Sequence, residues 1–226
     1  PAIQMLNEGE SMLTSGNTLT GQLRIGASDT ICRYCLIDAL QKFHKSYPDV
    51  RIKITNSTSI GCVELLDKGQ VDLIVCNSPN SHLNTHRQMR VIQEFEDIFV
   101  ANPEYFSFAG KEVDLKQLLD FPILMLSQKS TTSEYLHQIF MAQGLRLIPE
   151  VELNSNDLLL DLARIGLGIA CVPDYMLKHQ TSLLPVPLKT PLPLRQIVLV
   201  QHDTLPLSPA AKRFMSTFLE NQETAP

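Results

Sequence analysis

The sequence predicts an α/β protein made of two Rossmann-like subdomains joined by two crossover strands. Three observations carry this. First, Gly21 to Cys76 reads as strand, polar turn, amphipathic helix, strand, polar turn, short helix and strand, which is two successive βαβ units. Second, Pro122 to Val172 repeats the same design. Third, a strand over Gln196 to Gln201 and a final helix are placed to return the chain to the first unit. The expected division is an end of a linker helix over residues 1–20, subdomain I over 21–97 and 201–226, and subdomain II over 98–200.

Taken in order, residues 1–20 carry a helical pattern in Ile3, Leu6 and Met12 or Leu13 before dissolving into a polar stretch. Leu23, Ile25 and Ala27 then alternate with Gln22, Arg24 and Gly26, the period of a strand. Ile31, Leu36, Ala39, Leu40, Phe43 and Tyr47 recur at helical spacing. Val50, Ile52 and Ile54 alternate again, and Val71 to Cys76 is almost wholly apolar, as in a parallel strand covered on both faces. Gly69 supplies the positive φ that ends the short helix, and Asp72 has a structural role.

Val91 to Val100 reads as extended, with Asp97 to Val100 a good short strand, and Asp114 with Gln117 opens a short helix as a capping box. Pro122 to Leu126 is a strand, Ser127 to Ser133 a polar turn, and Leu136, Ile139, Phe140 and Leu145 trace a helix capped by Gly144. Glu150 to Leu153 is a strand, Leu158 to Ile165 a helix, and Leu167 to Val172 a strand closed by Pro173. Ser208 and Pro209 mark the start of the last helix, whose apolar face is Ala211, Phe214, Met215 and Phe218.

Hydroxyl-bearing and amide side chains gather where strands end. Ser28, Asp29 and Thr30 come after the first strand, Ser57, Thr58 and Ser59 after the second, and Asn77 after the third. Gln128, Ser130, Thr131 and Thr132 come after the strand at Pro122, and Asn154 after the next. In a parallel sheet that edge is where helix N-termini turn unpaired N–H groups toward a ligand. Any one of these residues is as well explained as an N-cap, but their accumulation on one edge points to a binding site.

The chain of 226 residues is 44% hydrophobic and 19% charged, with a net charge of −5. No basic stripe offers contacts to phosphates, so direct nucleic-acid binding by this stretch is not expected. No apolar run is long enough to cross a membrane, and no signal peptide is recognisable, so a cytoplasmic location is expected. Five cysteines give no disulfide framework. Cys32 and Cys35 have C-x-x-C spacing at a helix start, where a thiolate is favoured, and a thiol-redox role is a minority reading. The preferred one places Cys35 in the core and Cys32 at the crevice. No catalytic motif, no metal-ligand spacing and no cofactor fingerprint is present, so the expectation is a protein that is not an enzyme, with no metal and no cofactor.

Four stretches in this order resemble the effector-binding domain of LysR-type transcriptional regulators: Gly21 to Gly26, Leu40 to Val50, Leu66 to Leu73, and Gly166 to Pro173. The resemblance covers essentially the whole chain. It implies a type II periplasmic-binding-protein-like fold with a small-molecule effector in the cleft between lobes, lined by the residues named above. It implies a winged helix-turn-helix upstream of this stretch, through which alone DNA is bound, and a homodimer or homotetramer without membrane attachment. Tyr34, Ile37 and Gln41 on the first helix are then candidates for the subunit contact. A solute-binding transport component of the same fold is the alternative, disfavoured by the missing signal peptide and the free cysteines.

Overall fold

The structure is a computed structural model that describes residues 19–83, 88–108 and 110–223. The expected linker helix lies outside the described residues except at its last two positions. The chain divides into two compact units, one formed by residues up to Gln93 with those from Ile197 onward, the other by Glu94–Gln196.

In the first unit, strand β1 (Gly21–Ala27) lies in parallel between β2 (Val50–Asn56) and β3 (Leu73–Ser78). Two further strands, β4 (Met89–Phe95) and β10 (Arg195–Gln201), complete the order β2-β1-β3-β10-β4. Leu23, Ile25 and Ala27 are buried, and so is every residue from Leu73 to Cys76, as a strand covered on both faces requires. Arg24 interrupts this apolar pattern, and its partner explains how. The Asp72 carboxylate accepts from the Arg24 backbone N–H at 2.8 Å, from Nε at 3.2 Å and from Nη2 at 2.6 Å. Nη1 donates to the Gly69 carbonyl at 3.0 Å. Asp72 therefore has a structural role, fastening β1 to the approach of β3.

Helix α1 is not the uninterrupted α-helix that the apolar spacing predicts. It runs as α over Asp29–Ile31, as π over Cys32–Leu36, and as α again over Ile37–Ser46. A π turn inserts one residue and rotates the rest of the helix by roughly 100°. Ile31, Leu36 and Phe43 are buried, whereas Ala39, Leu40 and Tyr47 are only half-buried. The same rotation corrects the placement of Cys35, which is half-buried rather than a core side chain. Phe43 meets Phe214 edge-on at 5.3 Å, anchoring α1 against the last helix, α6 (Pro209–Glu223). Ser208 caps that helix as the sequence predicts, its hydroxyl accepting from the Ala211 N–H at 3.1 Å. Helix α2 (Ser59–Asp67) connects β2 to β3 and ends at Gly69, with φ of 63°.

The second unit repeats this plan. Its elements are β5 (Asp97–Ala101), α3 (Leu115–Leu118), β6 (Ile123–Leu126), α4 (Thr131–Ala142), β7 (Val151–Leu153), α5 (Asn156–Arg164), β8 (Ile169–Pro173) and β9 (Leu184–Pro185). The order is β7-β6-β8-β5-β9, with β6 parallel to both β7 and β8 and β5 antiparallel to β8. The extended stretch expected over Val91 to Val100 is thus two strands, β4 in one sheet and β5 in the other. The capping box of α3 is present in full. Phe99, Leu118, Ile123, Met125, Leu136 and Phe140 lie in the core of this unit.

Orders β2-β1-β3 and β7-β6-β8 are the same arrangement. In each, the first strand is central and the chain winds away from it in opposite directions, so its carboxyl end is a topological switch point. That is where an open parallel sheet leaves a crevice.

Candidate functional site

In the first unit the strand register brings two polar turns and the last residues of β3 close to one level. Ala27, the last residue of β1, lies opposite Asn56 of β2 and Val75 of β3. Ser28 and Ser57 therefore leave the sheet together, and the Ser57 N–H donates to the Ala27 carbonyl at 3.3 Å, whereas Asn77 lies within β3 rather than after it as the sequence suggests, because that strand stays extended to Ser78. Ser28 caps α1, its Oγ accepting from the Ile31 N–H at 3.3 Å. Thr58 caps α2, its Oγ1 accepting from the Gly61 N–H at 3.1 Å. Ser59 is buried, its Oγ accepting from the Asn77 N–H at 3.1 Å, while its carbonyl accepts from Asn80 Nδ2 at 3.2 Å. Thr30 is buried and Asp29 exposed. Asn77 Oδ1 is buried and has no hydrogen-bond partner among the described residues. A Cβ at Gly61 would come within 2.1 Å of Ser57 Oγ, so a larger residue there would require the Ser57 hydroxyl to turn.

In the second unit, Leu126 lies opposite Leu153, so the turns at Ser127 and Asn154 are neighbours, and Ser127 Oγ donates to Asn154 Oδ1 at 2.5 Å. Gln128 and Asn154 are exposed. Ser130 caps α4, its Oγ accepting from the Ser133 N–H at 3.1 Å. Thr131 and Thr132, both buried, are held from behind by a residue that sequence reasoning missed. Arg195, 1% exposed, donates from Nη2 to Thr131 Oγ1 at 3.2 Å and from Nη1 to Thr132 Oγ1 at 3.0 Å. Nη1 also donates to Asp97 Oδ2 at 2.6 Å in a wholly buried ion pair. The guanidinium lies 5.3 Å from the Phe95 ring centroid and 4.8 Å from that of Tyr135. Burial pushes the Asp97 carboxyl above its usual range, with the Arg195 charge pulling the other way. The available signal was a single charge heading each of two apolar strands, Asp97 before Ile-Phe-Val and Arg195 before Gln-Ile-Val-Leu-Val.

A model of the LysR substrate binding domain matches residues 16–223. The chain belongs to this family. It is 22% identical over 207 residues to YbhD of Escherichia coli (strain K12), an uncharacterized HTH-type transcriptional regulator, covering 88% of this chain and 63% of that protein. The chain spans about half to two thirds of the length of the curated relatives it matches. The regulatory domain of CcmR from Synechocystis PCC6803, solved in complex with 2-PG, superposes with a TM-score of 0.82 at 17% identity, covering 92% of this chain and all of that one. The effector binding domain of QuiR, solved with shikimate, gives 0.77 at 17% identity, covering 91% and 98%. The fold is the two-lobed, type II periplasmic-binding-protein-like class of these regulators.

Within this LysR substrate binding domain the thiols correct one expectation. Burial, with the Asp29 charge added, raises Cys32 to about 11, and burial with the Cys32 charge raises Cys62 to about 12. The helix N-terminus does not make Cys32 a thiolate, because desolvation outweighs it. A serine and a histidine also meet on α4, with Ser133 Oγ 3.3 Å from His137 Nδ1. The same Nδ1 lies 2.8 Å from the Ser133 carbonyl, an acceptor only, so this nitrogen carries a proton and is no base toward the hydroxyl. Among the described residues no group of three His, Cys, Asp or Glu is placed to hold a metal ion. No helix among them is long and apolar enough to cross a membrane.

Proposed function

We propose that this domain senses a small-molecule effector, a small organic acid, amino acid or inorganic anion, and that the full protein is a cytoplasmic transcriptional regulator. The observation that carries this is the pair of equivalent sheet edges, each at a switch point and each lined by capping hydroxyls. The effector engages Ser28, Asp29, Thr30, Ser57, Thr58, Ser59 and Asn77 on the first edge. On the second it engages Gln128, Ser130, Thr131, Thr132 and Asn154. Ligands named for relatives of this fold, 2-PG for CcmR and shikimate for QuiR, support a small-molecule effector. Binding favours one conformation by differential affinity. The change passes through a homodimer or homotetramer to a winged helix-turn-helix elsewhere in the protein. Ile37, 60% exposed, and the exposed Gln41 fit a subunit contact along α1.

The test is a thermal-shift screen of organic acids, amino acids and inorganic anions on the wild type and on Thr30→Val and Thr131→Val. A true effector at about 100 times its Kd stabilises the wild type by about 2.7 kcal/mol. Both variants lose most of that shift; undiminished stabilisation of both refutes the site. Sedimentation that shows only monomer at high concentration, or a dimer indifferent to Ile37→Asp, refutes the subunit contact.

A further inference from the structure

The buried arginine behind Thr131 and Thr132 pairs with Asp97, but its two bonds to the threonine hydroxyls go beyond what capping the helix requires. Ser130 alone supplies the cap, through the Ser133 N–H. Each threonine oxygen accepts from Arg195, so each hydroxyl hydrogen must point elsewhere, and among the described residues neither finds an acceptor. The N–H groups of Thr131 and Thr132, first in α4, have no upstream carbonyl within the helix. Arg195 Nε, on a side chain almost wholly removed from solvent, also has no partner among the described residues. Buried donors left unmatched are costly. The turn is therefore an array of donors that its own unit does not satisfy.

We infer that Arg195 is a positioning residue: by fixing the Thr131 and Thr132 hydroxyls as donors, it makes the first turn of α4 select an acceptor-only group, a carboxylate or other oxyanion. This rests on the effector-site reading above and narrows it. An ammonium or an amide NH2 placed there faces O–H and N–H groups and leaves both sides unpaired. An oxyanion accepts from all of them, and the helix N-terminus adds its favourable field.

The test titrates the whole chain with matched pairs, glycolate and glycolamide, benzoate and benzamide, shikimate and its primary amide, with sulfate and phosphate alongside. At least one acid or inorganic anion binds, and any organic acid that binds does so about tenfold or more tighter than its amide, as expected for charge-assisted bonds. Thr131→Val and Thr132→Val reduce that ratio toward one. Arg195→Lys, which keeps a cationic donor, retains part of it. If Arg195→Met fails to fold, the two threonine variants and Arg195→Lys still decide. Equal binding of acid and amide, an unchanged ratio in both threonine variants, or no binding by any probe overturns the inference. If Ser28→Ala and Thr58→Val abolish binding while the threonine variants leave acid preference intact, the effector site stands and only the role of Arg195 falls.

Discussion

A charged side chain leaves water only where the protein replaces the water's hydrogen bonds, and the half-buried Arg24 and the buried Arg195 meet that condition differently. Arg24 is matched by Asp72 and the Gly69 carbonyl, so that cluster is closed. Arg195 is matched only in part, which is why it reads as functional and Arg24 as structural. The cysteines show the complementary rule, that a buried ionisable group without a counter-charge stays neutral. With its pKa raised to about 11, Cys32 is overwhelmingly thiol at neutral pH. Alkylation of the native protein at about pH 8 is expected to be roughly a hundredfold slower at Cys32 than for free cysteine. The rate should keep climbing about tenfold per pH unit beyond the free thiol's midpoint, as thiolate fraction requires. Mass-spectrometric peptide mapping across pH measures this. A plateau well below the ordinary cysteine pKa would restore the thiolate reading and with it a redox role, whereas one at the ordinary value would show only that burial leaves the thiol unshifted.

At the scale of elements, the features legible in the sequence are those decided locally. The Asp114 and Gln117 capping box, the Ser208 cap and the Gly144 stop all depend on residues a few positions apart, and all are found. The candidate turns were legible for the same reason, since strand ends and N-caps are local. The features that were not legible depend on distant partners. Arg195 and Asp97 are 98 positions apart, and neither is intelligible alone. The short strand at Asp97 to Val100 was legible, but that it joins a different sheet from β4 depends on distant strands, and the π turn in α1 reflects packing rather than spacing. Two glycines separate local from distant constraint in a measurable way. Gly144 has φ of 69° and open space around its missing Cβ, so alanine there meets only backbone strain, about 1 kcal/mol. Gly168 has an ordinary φ, but a Cβ would lie 2.5 Å from the Pro122 carbonyl oxygen, a backbone atom that cannot step aside. Gly168→Ala is expected to cost about 2 kcal/mol or more in urea unfolding, exceeding Gly144→Ala. The reverse order would mean that β6 and β8 adjust more freely than close packing allows.

For the whole molecule, the second unit is a continuous segment, Glu94–Gln196, entered and left at strands that belong to the first unit's sheet. Its two ends are tied together by its own residues. Gln196 Nε2 donates to Glu94 Oε1 at 3.1 Å, and the Asp97–Arg195 pair lies just inside. An insertion whose ends already meet loses little closure entropy when cut free. The polypeptide Glu94–Gln196 is therefore expected to fold alone, with dispersed amide NMR signals and a single urea transition. Its stability should fall within the roughly 5–15 kcal/mol typical of such domains. Arg195→Met in that fragment strands the Asp97 carboxylate in the core, and removal of one partner of a buried pair costs about 3–5 kcal/mol, enough to unfold a domain at the lower end of that range. Adding Asp97→Leu removes the stranded charge and should restore much of the loss, because two apolar side chains can replace a buried pair at little net cost. A fragment that stays collapsed without dispersed signals would show that the core depends on the first unit. A double variant no more stable than Arg195→Met alone would show that the arginine acts through Thr131, Thr132 and the flanking rings rather than through its charge partner.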